Sequence, residues 1–288
     1  GLNNGIDFTG GRNYVIRFDK DVRTDEIRSA LEPQLKGGSV SVITIGSQNQ
    51  VRVSTNYKIA DNSAGVDDEI VGKLYTGLKP FLGDATQEQF AADNIQSSQK
   101  VGPSMADDIK NSAILAVLFA MICMALYILV RFRDVAFSVG VFISVAVTTL
   151  CIIAFYTLLW KIMPFSMEVD QTFIAAILTV IGYSINDTVV VFDRIRETIQ
   201  FYPKRDRYEV INDALNSTLA RTFSTSLSTF IVVFVIFLLG GSTIQSFTFA
   251  ILLGVIVGTY STLFVATPIA YEIQKRKAEK KAAVAATA

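Results

Sequence analysis

The apolar positions of this chain are distributed in two ways. Up to about residue 105 they recur at short, element-sized intervals, and beyond it they run together. Five segments, Asn111–Val130, Val135–Trp160, Thr172–Phe192, Thr222–Gly240 and Ser246–Tyr271, are predominantly apolar. Each has about 20 residues or more, enough for a helix to cross a hydrocarbon core of roughly 30 Å. No charged side chain falls between Thr222 and Tyr271, and Gly240-Gly241-Ser242 predicts a tight turn that divides this stretch into two helices.

The first part has a different rhythm. Asn13–Phe18 alternates as a strand. Thr24–Leu31 has helical apolar spacing with Thr24 as its N-cap. Val40–Ile45 and Gln50–Thr55 read as two strands around a polar turn, Ser47-Gln48-Asn49. Val66–Leu82 is amphipathic through Ile70, Leu74 and Leu78, and Gln96–Val101 reads as a last strand. The order βαββαβ predicts a ferredoxin-like α+β domain over residues 1–105, a fold that hosts many functions. Between the third and fourth apolar segments, Asp206 and Glu209 have capping-box spacing, with Tyr208, Ile211 and Leu215 along one face. They predict an interfacial helix over about 206–218.

Charge orients these elements. Arg131 and Arg133 occupy the first loop between apolar segments. Arg194, Arg196, Lys204, Arg205 and Arg207 follow the third, and Lys275, Arg276, Lys277, Lys280 and Lys281 the fifth. The second loop has only Lys161, beside Glu168 and Asp170, and the fourth has no charge. Basic loops on one side place residues 272–288 in the cytoplasm as a basic tail, 106–271 in the membrane and 1–105 outside. The chain opens on Gly1-Leu2-Asn3-Asn4, with neither an initiator Met nor a secretory signal. The outer domain is therefore expected to follow an upstream span that this sequence lacks.

Composition agrees and removes some functions. The chain is 51% hydrophobic and 18% charged, with a mean hydropathy of +0.41. The first 110 residues hold 12 of the 26 basic and 15 of the 26 acidic residues, a density typical of soluble domains. Histidine is absent, which removes the usual proton shuttle and commonest metal ligand. Cys123 and Cys151 both lie in apolar segments, as small hydrophobes in helix packing do. No phosphate-binding glycine loop, dinucleotide fingerprint, metal cluster or nucleophile–base pair is present. No cofactor, metal, nucleic acid or enzymatic step is expected.

Asp187 stands apart. It lies six residues before Asp193, or about 9 Å deeper at 1.5 Å per residue. A carboxylate at such depth costs roughly 2.5–3.5 kcal/mol. Thr179, Tyr183 and Ser184 share its helix face, Asn186 borders that stripe and Thr188 follows it. Two readings are open: an interfacial acid that structures the helix end, and a titrating group on an ion path. Its depth favours the second. Arg221 opens the fourth segment, either as a snorkelling anchor or as the head of a second polar stripe through Ser224, Thr225, Ser228 and Thr229. Two such stripes facing each other would form a hydrated relay. Asp193, Arg194, Arg196 and Glu197 read as an interfacial charge cluster, and Gly254 with Gly258 as a close helix-packing motif.

These residues carry a resemblance. Gly5-Ile6-Asp7-Phe8-Thr9-Gly10-Gly11, Val101-Gly102-Pro103 and the long run from Gly182 to Glu197 closely resemble the SecF half of the bacterial SecD/SecF protein-export pair, within the RND superfamily. Arg221-Thr222 and the Ser/Thr-rich helix after them match as well. The resemblance implies six spans, with a periplasmic ferredoxin-like domain after the first. It implies a bacterial inner-membrane location and a partner, SecD, that supplies six more spans as a separate chain or a fused half. The pair would join the SecYEG translocon and use a proton or sodium gradient to complete preprotein translocation after the ATP-driven step. Asp187 would match the family's intramembrane acid and Arg221 its intramembrane arginine, with a further acid in SecD. An RND-like exporter of small molecules or lipids is the alternative, and an outer region of about 100 residues is short for its porter domain. A passive scaffold that needs only the outer domain is a third reading.

Overall fold

The computed structural model describes residues 2–61, 63, 65–163 and 165–287. Gly1 and Ala288, the outer limits of the expected domain and tail, lie outside the described residues. The elements run α1 (Ile6–Thr9), β1 (Gly11–Arg17), α2 (Thr24–Leu31), β2 (Val40–Ile45), β3 (Ser47–Thr55), α3 (Val66–Leu78), α4 (Gln87–Gln89) and β4 (Ile95–Val101). Then come α5 (Pro103–Phe132), α6 (Val135–Leu159), α7 (Gln171–Phe201), α8 (Arg207–Leu239), α9 (Ser242–Ser261) and α10 (Thr267–Thr287). A π turn, Thr262–Ala266, joins the last two helices without a break. By length and composition five of these helices are apolar enough to cross a membrane, α9 and α10 counting as one.

The chain divides into two compact units. The first comprises Gly1–Ile114, Thr157–Phe173 and Leu238–Ser246. Its sheet has strand order β2-β3-β1-β4 with every described pair antiparallel. Tyr14, Ile16, Val51 and Val53 on one face pack with Ile27 and Leu31 of α2 and Ile70, Leu74 and Leu78 of α3. Such burial of strand and helix faces is the main drive for folding a unit of this size. Gly10 takes a positive φ of 72°. A Cβ at Gly11 would stand 2.5 Å from Ile6 Cγ2 and 3.0 Å from Thr55 O, so β1 can pass this tightly only with glycine there.

The segment 165–171, which leads into α7, is strapped to the start of the chain. Asn4 and Val169 form a parallel bridge, with Gly5 N donating to Val169 O at 3.0 Å and Val169 N to Asn3 O at 2.8 Å. Asp7 accepts from Gln171 N, and Asp170 caps α7 by accepting from Phe173 N. Arg52 of β3 reaches Glu168 at 3.8 Å.

The second unit comprises Leu115–Tyr156, Ile174–Phe237 and Phe247–Ala288. α6 and α7 bury about half of their apolar stretch, whereas α5 and α8 leave most of theirs exposed. Phe132, Phe137 and Phe192 tie α5, α6 and α7 together through ring contacts of 4.5–5.9 Å. At Gly254 a Cβ would overlap the Val180 side chain, and at Gly258 it would meet Ser184 Oγ. The two glycines are what lets α9 lie directly on α7.

Several local expectations change. Thr24 is the first helical residue of α2, and the N-cap is Arg23, whose side chain makes no cap bond. Asp25 and Glu26 in the first turn offset the orphan amides by charge instead. The β2–β3 turn is made at Gly46, with φ of 69°, so Ser47–Asn49 belong to β3. α3 stops at Leu78, because Pro80 lacks the amide needed to continue it and a 3-10 turn follows. Residues 207–218 form the first turns of α8 and not a helix of their own. Asp206 accepts from Tyr208 N and Glu209 N, while the Glu209 carboxylate turns to Arg205, so only half of the capping box forms. The tail continues as helix α10 to Thr287.

Candidate functional site

Asp187 sits on α7 within the second unit and is buried, at 5% exposure. Residues 176–192 form a regular helix, and burial falls on Ala176, Val180, Ser184, Asp187, Thr188 and Val191, the three-four spacing of one face. The carboxylate is thereby turned to the interior of its own bundle. Ser226 of α8 donates to Asp187 Oδ2 at 3.2 Å. The Ser226 hydroxyl also lies 2.6 Å from Thr259 Oγ1 of α9, and Thr259 donates to Val255 O at 2.8 Å. Three helices therefore meet at one carboxylate through two hydroxyls.

Neighbouring hydroxyls continue this polar seam. Thr188 is 2.9 Å from Thr262 in the π turn, and Ser144 of α6 is 2.9 Å from Ser261. Ser184 Oγ and Thr222 Oγ1 are buried with no hydrogen-bond partner among the described residues. A buried hydroxyl left unpaired is costly, and here two occur within one turn of the Asp187–Ser226 pair along their helices. The seam thus holds a carboxyl group, dipoles that can reorient around it, and unused donor capacity.

The residues expected from sequence separate into two sets. Asp187, Ser184 and Thr188 lie together on the buried face of α7. Tyr183 is half-buried and donates to Thr225 O at 3.4 Å and to Thr229 Oγ1 at 3.2 Å, which joins the α7 stripe to the α8 stripe. Thr179 and Asn186 are exposed, as are Arg221, Ser224 and Ser228. Thr179, Thr225 and Ser228 each donate to the carbonyl four residues earlier, so their hydroxyls are satisfied within their own helix. Arg221 makes no hydrogen bond or ion pair with Asp187 among the described residues. The structure therefore pairs Asp187 with Ser226 and leaves Arg221 at the edge of a cleft on the bundle surface.

Ser226, Thr259 and Thr262 were not singled out from the sequence. The signal was present as Thr218, Thr222 and Ser226, four residues apart and all buried on α8. The parallel run Ser224, Ser228 competes with it, and hydroxyl spacing alone does not say which run faces inward.

A family model described as "Protein export membrane protein SecD/SecF, C-terminal" matches residues 82–276, and one described as "SecD/SecF GG Motif" matches residues 1–22. The chain is similar to "Protein translocase subunit SecF" of Rhodothermus marinus, 37% identical over 282 residues, covering 98% of this chain and 86% of the relative. The same description applies to a Vibrio alginolyticus relative at 34% identity, covering 96% and 82%. "Protein translocase subunit SecDF" of Thermus thermophilus is 33% identical, and the match covers 99% of this chain but 36% of that protein. Among solved structures, the crystal structure of SecDF in its super-membrane-facing form matches with a TM-score of 0.64 at 30% identity, over 98% of this chain and 36% of that one.

Proposed function

This chain belongs to the SecD/SecF family of protein-export membrane proteins, and from that premise we propose that it is an accessory subunit of the Sec preprotein translocase driven by an ion gradient. It is a multi-pass membrane protein, and it performs no bond-making step in this reading. The gradient, of protons or sodium ions, promotes the late, ATP-independent stage of translocation across the inner membrane.

The observation that carries the proposal is the buried carboxylate of Asp187, held by Ser226 inside an apolar bundle. Ionisable groups at such positions are expensive to keep and mark ion or proton pathways. A unit charge crossing a potential of about 100 mV releases about 2.3 kcal/mol, comparable to the few-kcal/mol gaps between the arrangements of a switching protein. Asp187 changes its protonation or ion occupancy as access alternates between the two sides of the membrane. Arg221 biases that change through space, with Thr179, Tyr183, Ser184, Asn186, Thr188, Ser224, Thr225 and Ser228 as the surrounding polar residues. The exposed members of this set, Arg221 and Asn186 above all, suit a protein neighbour better than lipid. A SecD half-bundle, separate or fused as in the longer relative, is that neighbour.

The basic loops support a cytoplasmic C-terminus and a periplasmic residue 1–105 domain. The strand order β2-β3-β1-β4 with two helices on one face supports reading that domain as ferredoxin-like. The strap between residues 3–7 and 168–171 ties it to the first turn of the helix that carries Asp187. SecYEG and the emerging preprotein are its working partners. Ion flux and gradient-dependent export through the reconstituted SecD-containing complex test the reading, and Asp187→Asn abolishes both. Full gradient-dependent export by that variant would refute it.

A further inference from the structure

Two buried hydroxyls flank Asp187 along the bundle. Ser184 is 4% exposed and Thr222 2%, and neither Ser184 Oγ nor Thr222 Oγ1 has a hydrogen-bond partner among the described residues. Their places follow from the helix pairing. Tyr183 is bonded to Thr229, Asp187 to Ser226 and Arg194 to Ser217 across α7 and α8. One number rises as the other falls, so these helices are antiparallel. Ser184 precedes Asp187 by three residues on α7, and Thr222 precedes Ser226 by four on α8. In antiparallel helices those steps run in opposite directions. Ser184 therefore stands about 4.5 Å to one side of the Asp187–Ser226 pair and Thr222 about 6 Å to the other, at a rise of 1.5 Å per residue.

What lies beyond each hydroxyl differs. Past Thr222, Thr218 is one turn nearer the basic end, and with Val190 it lines a cleft that opens among Asp193, Arg194 and Glu197. Past Ser184, the next turn of α7 brings Val180, packed so closely on α9 that a Cβ at Gly254 would overlap it. Ser184 Oγ itself faces Gly258, where a Cβ would collide with it. One approach is thus polar and reaches within a turn of Thr222, and the other is apolar and shut where α7 meets α9. An unpaired buried hydroxyl is costly, and a hydroxyl can both donate and accept. Keeping two of them, on opposite sides of one carboxyl, is what a path with two ends requires.

We propose that Thr222 and Ser184 are the two access points of Asp187. In the orientation given above, Thr222 receives water and the cation it carries from the cytoplasmic end. Ser184 receives them from the outer end, when α9 parts from α7 at the Val180–Gly254 contact. The inference rests on the ion-path reading of Asp187. Its first test reads accessibility and not flux, so either can fail while the other stands.

Thr222→Cys and Ser184→Cys are made separately in a SecD-containing complex whose other cysteines, Cys123 and Cys151 included, are replaced by alanine. The complex is reconstituted in vesicles of known orientation. The probe is a methanethiosulfonate cation that cannot cross the bilayer, added to one side at a time. Thr222→Cys should react about tenfold or more faster from the cytoplasmic side, and Ser184→Cys by the same margin from the outer side, since a minor state of up to about 10% sets the slower rate. Thr222→Val and Ser184→Ala, which lose the hydroxyl without adding bulk, should each lower ion flux about tenfold, and Thr222→Ser should retain most of it. Reaction of both cysteines from the same side, or failure of either to react, overturns the proposal. Where a cysteine variant does not assemble, the variant lacking the hydroxyl at that position decides, and unchanged flux in it overturns the proposal.

Discussion

Ser226 of α8 donates a hydrogen bond to Asp187 of α7 across 3.2 Å, and its hydroxyl lies 2.6 Å from Thr259 of α9. Ser226 has one proton and two acceptor neighbours. With Asp187 ionised that proton serves the carboxylate. With Asp187 protonated the acid can donate to Ser226, which frees the serine proton for Thr259. Ser226→Ala removes this exchange without adding bulk. A hydrogen bond to a charged group contributes roughly 1.5–3 kcal/mol, so ion-coupled export should fall by about tenfold or more. Ser226→Thr should restore part of it, and gradient-driven flux in reconstituted vesicles is the measurement.

Gly254 and Val180 define the contact of α9 with α7. A Cβ at position 254 would overlap the valine side chain, so Gly254→Ala forces one helix away from the other. Overpacking of this kind costs typically 1–3 kcal/mol. Val180→Ala should recover part of the loss in the double variant, because each change acts on the same space. Thermal unfolding in detergent of the four combinations checks it, and strictly additive losses would contradict the contact.

The membrane segments were legible because a run of about 20 apolar residues has no other economical solvent. The helix ends were not. Residues 193–201 extend α7 beyond its apolar run and look like a loop to a hydropathy pattern, while the helix over about 206–218 was legible but not its continuity with α8. Strand β2 was readable to the residue, and helix α2 to within one residue at its N-cap, since alternation and three-four spacing change abruptly at their ends. The β2–β3 turn was misplaced because Ser47-Gln48-Asn49 is polar, whereas the left-handed Gly46 makes the turn. The position of Asp187 was visible as a lone carboxylate in an apolar run. Its partners Ser226 and Thr259 were not, because a hydroxyl can bond the carbonyl four residues back and so gives no sign of which face it needs.

Arg12 is nearly fully buried on the helix-covered face of β1, with Nε donating to Asp67 at 2.6 Å and Nη1 to the carbonyls of Tyr57 and Lys58. Its fork holds the start of α3 and the loop after β3 at once, which one ammonium cannot do. Arg12→Lys should therefore destabilise the first unit, and Arg12→Ala more, by about 2–5 kcal/mol, the cost of emptying a large buried site and leaving two carbonyls without their donor. Asp67→Asn should cost less, because Asp67 is itself largely exposed. Denaturant unfolding followed by hydrogen exchange in β1 and α3 separates the three.

Glu168 gives the pH prediction. Burial raises its carboxyl above the ordinary value of 4.5, Arg52 at 3.8 Å pulls it back, and Asp170 and Asp7 push it up again. Burial dominates, so the folded chain holds this proton to higher pH than the unfolded chain does. Between the unfolded value and the raised folded one the native state binds more protons, and stability must fall as pH rises through that window. The contribution is fully present below 4.5 and is lost above the folded value. Glu168→Gln keeps the shape and cannot ionise, so it should flatten this part of the profile and be more stable than the parent at neutral pH. Arg52→Gln removes the group that opposes the rise and should move the window upward. Unfolding midpoints of the three chains from acid to neutral pH decide it, and a parent whose stability rises with pH through the window would show that Arg52 outweighs burial.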